Sequence, residues 1–127
     1  FMSTGDSSLG TVKISEEVIA LCVMNATLRT RGVYALSAFG LGENISKSIL
    51  GKDPAYSGIR INQSEDGVTV DIYVVVKYGV KIPAVAWDLQ ENVKKEIKEI
   101  LDMHAKAINI HVQGVRFGEE KQEEETE

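Results

Sequence analysis

Two stretches of this 127-residue chain have residue types that could cradle a phosphate: Gly40-Leu41-Gly42-Glu43-Asn44-Ile45 and Gly51-Lys52-Asp53. A dinucleotide-binding turn needs a third glycine where Ile45 stands, a strong strand feeding it and an apolar crossover after it. A phosphate loop needs an upstream glycine and a hydroxyl where Asp53 stands. Both stretches therefore read as a flexible connection. His104 and His111 have one cysteine, Cys22, for company and no carboxylate at matching spacing, so they do not make a zinc set. Cys22 falls on an apolar helix face, where a buried, inert thiol is the default. Ser15, followed by Glu16 and Glu17, is explained by helix capping, and no serine or threonine has a visible base with an orienting acid. These residues predict no catalytic centre, no metal, no cofactor and no small-molecule substrate.

The residues left to act are apolar and aromatic. Residues 15–30 predict a first helix, capped by Ser15 and ended at Gly32. Val18, Ile19, Leu21, Cys22, Val23, Met24, Ala26 and Leu28 run nearly all round its wheel, so it must be covered on more than one side. A two-layer domain covers one side only. Leu21, Met24 and Leu28 are thus candidates for contact with another subunit or a partner, unless residues 40–57 fold over them. Trp87, near the start of a second helix, and Tyr73, on the outer parity of a strand, are the other interface candidates.

The elements that would position them are legible. Val68, Val70, Ile72, Val74, Val76 and Tyr78 alternate along one strand, entered through an Asp66-Gly67 turn from a strand opened by Ile59-Arg60-Ile61. Pro83 suits the first turn of the second helix, with Ala86, Leu89, Val93, Ile97 and Ile100 as its apolar stripe. Residues 10–14 and 33–39 are shorter strand candidates, and residues 45–50 a short helix. Residues 107–117 form the last strand, with a bulge at Gln113-Gly114 because the apolar parity switches there. The expected fold is α+β in two layers: a mostly antiparallel or mixed sheet of four to five strands, with two main helices on one face.

Charge is unevenly placed. The net formal charge of −5 equals that of residues 119–127 alone, leaving 13 acidic and 13 basic residues in a neutral body. The expected organisation is a flexible N-terminus over residues 1–9, with Phe1 ahead of Met2 as a cloning remnant, a domain over residues 10–117 and an acidic, disordered tail over residues 118–127. A neutral body beside an acidic tail is a poor electrostatic partner for nucleic acid or an anionic membrane. No apolar run is long enough to span a bilayer or act as a secretion signal, and a lone cysteine suits a reducing cytoplasm.

Gly10-Thr11-Val12-Lys13-Ile14-Ser15 leading to Val18-Ile19, Gly32-Val33, Gly67-Val68-Thr69-Val70-Asp71-Ile72 and Tyr78-Gly79 form an ordered series. Ile82, Val85, Leu89-Gln90-Glu91-Asn92-Val93 and the run from Ile108 through His111 to Phe117 complete it. In these residues the chain resembles the alkaline-shock-protein family of Gram-positive bacteria, the Gls24-type envelope stress response proteins. The resemblance covers residues 10–117. It implies a cytoplasmic, non-enzymatic protein linked to cell-envelope homeostasis or stress, some members of which assemble and sit beneath the membrane through a membrane-anchored partner. It supplies no catalytic residues. The expectation is a protein–protein interaction or scaffold module that self-associates, with no direct membrane insertion. A small RNA-binding α/β module is the alternative.

Overall fold

A computed structural model of the chain describes residues 9–37 and 58–117. Within them the order is helix α1 (Glu16–Arg29), strands β1 (Val33–Leu36), β2 (Ile59–Ser64) and β3 (Gly67–Lys77), helix α2 (Ile82–Glu96) running into a π-helical turn (Ile97–Leu101), and strand β4 (Ala105–Arg116).

β3 is the centre of the sheet because it is the one strand built to be covered along its whole length. Its even-numbered residues from Val68 to Val76 are buried, and its odd-numbered ones from Gly67 to Val75 lie half-buried on the other face. β1 and β2 share one edge of β3 end to end, both antiparallel: Val33 to Leu36 lie opposite Val76 to Val74, and Ile59 to Ser64 opposite Ile72 to Gly67. β4 pairs parallel along the other edge, Val70 opposite Ile108 and Tyr73 opposite His111, so the sheet is mixed. Parallel neighbours need a crossover, which α2 supplies. The expected bulge is present: β4 slips by one residue between Val112 and Gly114.

Both helices pack on the even-numbered face of β3. α1 contributes Ile19, Ala20, Val23 and Ala26; α2 and its π-turn contribute Val85, Leu89, Val93, Ile97 and Leu101. The two helices are tied at their seam. Arg29 Nη2 donates to Glu96 Oε1 at 2.9 Å, Asn25 Nδ2 to Glu96 Oε2 at 3.4 Å, and Asn92 Nδ2 to Thr30 Oγ1 at 2.9 Å. Buried Thr27 and Thr30 cost little, because each hydroxyl donates to a carbonyl one turn back. Gly67 is obligatory: its φ is +140°, and a Cβ there would lie 2.6 Å from the His104 carbonyl oxygen.

Three expectations need correction. Residues 10–14 do not form a strand. Gly10 makes a single bridge and residues 11–15 join no ladder, since Val12 and Lys13 are exposed and Ile14 alone packs on the core. α1 ends at Thr30 as expected, but its cap is Thr30 itself, in an extended conformation, and not Gly32, which follows two residues later at φ +97°. The stripe of α2 is Val85, Leu89, Val93, Ile97 and Leu101; Ala86 is only half-buried and Ile100 is exposed. The widened turn carries Ile100 off the buried face before Asp102, at φ 56°, ends it. Residues 38–39, the expected helix at 45–50, both glycine-rich stretches and the acidic tail lie outside the described residues.

Candidate functional site

The five interface candidates fall on three separate surfaces. Leu21 and Leu28 stand on the outer side of α1, 42% and 49% exposed, with Val18 beside them at 45% and Met24 half-buried at the margin. The helix repeat explains the grouping: positions 19, 20, 23, 26, 27 and 30 face the sheet, so 18, 21 and 28 face away, while Asn25 turns to Glu96 at the α2 seam. Trp87, 61% exposed, is on the far flank of α2. One turn further along that flank, Gln90 donates from Nε2 to the carbonyl of Ile108 on β4 at 2.9 Å. Tyr73 is on the opposite face of the sheet from both helices. The structure thus joins Leu21, Met24 and Leu28, and separates them from Trp87 and Tyr73.

Cys22 lies on the α1 flank turned toward α2. Burial, followed by the nearby Glu96 carboxylate, raises its thiol above the ordinary value of 9.0. A thiol held protonated is a poor nucleophile.

The outer sheet face carries a polar cluster that the sequence did not assemble. His111 Nε2 lies 3.0 Å from Asp71 Oδ1, which also accepts from Asn109 Nδ2 at 3.1 Å. The Tyr73 and His111 rings stack with centroids 4.3 Å apart and planes 8° from parallel, and the Arg60 guanidinium sits 5.9 Å from the Tyr73 centroid. The signal was the outer parity of Asp71, Tyr73, Asn109 and His111. What was missing was that β3 and β4 are neighbours in register. A carboxylate holding an imidazole is the orienting half of a general-base pair. Here, among the described residues, His111 meets no hydroxyl or thiol within hydrogen-bond distance, and the cluster acts as a cross-strand strut. No group of three or more His, Cys, Asp or Glu among the described residues is placed to hold a metal ion. No described helix is long and apolar enough to cross a membrane.

Fold and surfaces together define a small α+β domain whose helix layer exposes an apolar face and whose sheet leaves its other face to polar and aromatic side chains. Residues 4–117 match the alkaline shock protein 23 family, described as having a cell envelope-related function, and the chain belongs to that family. It is 34% identical to YqhY of Bacillus subtilis over 125 residues, 96% of this chain and 89% of that protein. It is 35% identical to Spy1535 of Streptococcus pyogenes serotype M6 over 108 residues, 84% of this chain and 80% of that one. A stress response regulator gls24 homologue of S. pyogenes serotype M3 is 20% identical over 108 residues, 85% of this chain and 58% of that protein. The Gls24-type resemblance and the envelope link read from the sequence agree with these matches.

Proposed function

We propose that this chain is a non-catalytic protein–protein interaction module in the envelope-related role of its family, and that the outer face of α1 is its working surface. The observation that carries the reading is the exposure of Val18, Leu21 and Leu28 side by side on a helix that the sheet covers on its other side. Exposed leucines grouped on one helix face mark a surface that gains by being covered, at roughly 25 cal/mol per Å² of apolar area removed from water. The coverer is a protein, either a second copy or an envelope partner, because a helix face with its apolar residues at positions 18, 21 and 28 suits packing against another helix or a sheet. The gls24 name of a distant relative supports a stress connection.

The test is the double variant Leu21→Glu/Leu28→Glu. Both positions are solvent-exposed, so the fold should be retained, with Tm within a few degrees of the wild type. The wild type should show mass increasing with concentration in analytical ultracentrifugation, or retain a partner on affinity purification from cells; the variant should lose that association at least tenfold. A wild type that stays monomeric and recovers no partner contradicts the reading, and so does a variant that associates equally well. RNA binding is the rival, and a sequence-independent shift of RNA by the wild type, abolished by salt, would favour it.

A further inference from the structure

We propose that one end of the domain is a contact site for an anionic membrane surface. Four cations that are scattered in the sequence, Arg31, Lys77, Lys81 and Arg116, meet where α1, β3 and β4 end and α2 begins. The backbone sets this meeting: the Lys77 amide donates to the Gly32 carbonyl, and the Tyr78 amide to the Arg116 carbonyl, each at 2.9 Å. The space beside Gly32 is filled by Val85 and Val80, which brings the head of α2 to the same place.

All four cations are exposed, and among the described residues none forms an ion pair with a carboxylate. Arg116 instead lies over the Tyr34 ring, 5.3 Å from its centroid, and keeps its charge. The first turn of α2 has no acidic residue, and its N-cap, Lys81, contributes no side-chain cap. The positive end of that helix therefore adds to the cations without opposition. Carboxylates stand at the opposite end, with Glu16 and Glu17 at the head of α1, Glu65 and Asp66 in the β2–β3 turn, and Asp102 after α2. Lys98 and Lys106 pair with Asp102 and Asp66 at that end, whereas the four cations at this end pair with no described carboxylate.

Between the cations stand apolar rings. Tyr78 is 61% exposed and Phe117 55%, stacked on each other with centroids 4.2 Å apart. A Cβ on neighbouring Gly79 would meet nothing within 4 Å, so the turn faces open space at that position. A protruding tip of aromatic rings ringed by Lys and Arg suits a lipid–water interface, where rings sit at headgroup depth and cations face anionic lipids. The six glutamates that follow Phe117 in the sequence carry charge of the sign that opposes this contact.

The test is co-sedimentation of the full chain with vesicles at low ionic strength, using phosphatidylcholine alone and phosphatidylcholine with phosphatidylglycerol. Binding is expected to the mixed vesicles, weak or absent on pure phosphatidylcholine, and reduced by salt. Lys77→Glu/Lys81→Glu should weaken it roughly tenfold or more. Phe117→Ser should weaken it without altering the salt slope, and replacing the six tail glutamates by glutamine in the full chain should tighten it. Leu21→Glu/Leu28→Glu should bind vesicles as the wild type does, which separates this site from the α1 face. The proposal fails if wild type and tail variant both ignore anionic vesicles, or if Lys77→Glu/Lys81→Glu binds unchanged. Retention of single-stranded RNA through Lys77 and Lys81 without vesicle binding would also overturn it, in favour of nucleic acid.

Discussion

Cys22 shows how little a residue type says before its surroundings are known. The thiol sits on α1 beside Glu96, and burial and that carboxylate both disfavour the thiolate. Alkylation by iodoacetamide should therefore be slower in the native protein than in the same protein in urea, at every pH below about 9. An equal or faster native rate would show that the thiol is activated. The linkage has a definite sign: the folded state holds its proton longer than the unfolded one, so this contribution to stability is intact below 9.0 and is lost as pH rises through the raised folded value. Other residues were readable from type and spacing alone. Ser15 caps α1, its backbone and side-chain oxygens accepting from the Val18 amide at 3.1 and 3.2 Å. The Asp71–His111–Asn109 cluster was not readable, because its members are 38 and 40 residues apart and only the β3–β4 register brings them together.

Among the elements, strands and helices with a strict period were the legible ones. β3 alternates without exception from Val68 to Val76, and that alternation alone assigns its buried face. α2 was legible up to its end. A helix of constant pitch would keep Ile100 on the stripe, but the π-turn over Ile97–Leu101 turns Ile100 out and Leu101 in. Leu101→Ala should thus cost about 2–5 kcal/mol by denaturant unfolding, and Ile100→Ala should fall within about 0.5 kcal/mol of zero. Comparable losses at the two sites would mean that the stripe continues through Ile100. Residues 10–14 misled for the opposite reason. Gly-Thr-Val-Lys-Ile has strand chemistry, but residues 11–15 join no ladder, and only Ile14 of them packs on the core.

At the scale of the whole molecule, the helix layer is amphipathic in a way that net composition cannot show. α1 gives the core Ile19, Ala20, Val23 and Ala26 and still holds Val18, Leu21 and Leu28 on its outer side. That surplus was visible as a wheel apolar nearly all round, and it is the part of the candidate site that the sequence located. Trp87 and Tyr73 share its aromatic or apolar character but not its place. Parity and helix wheel can assign each to a face, but neither can say which faces adjoin. The same blindness applies to charge, since a net count cannot show that Lys98 and Lys106 pair with Asp102 and Asp66 while Arg31, Lys77, Lys81 and Arg116 pair with no described carboxylate.

The most direct test of action through contact is site-specific photo-crosslinking in living cells, with a benzophenone side chain at position 21 or 28 and, as the control, at exposed Lys95 on α2. Discrete crosslinked species are expected from positions 21 and 28 and none from 95, with the position-21 product lost when Leu28→Glu is added. Crosslinks that are absent from all three positions, or equally abundant at all three, would contradict a working surface on the outer side of α1.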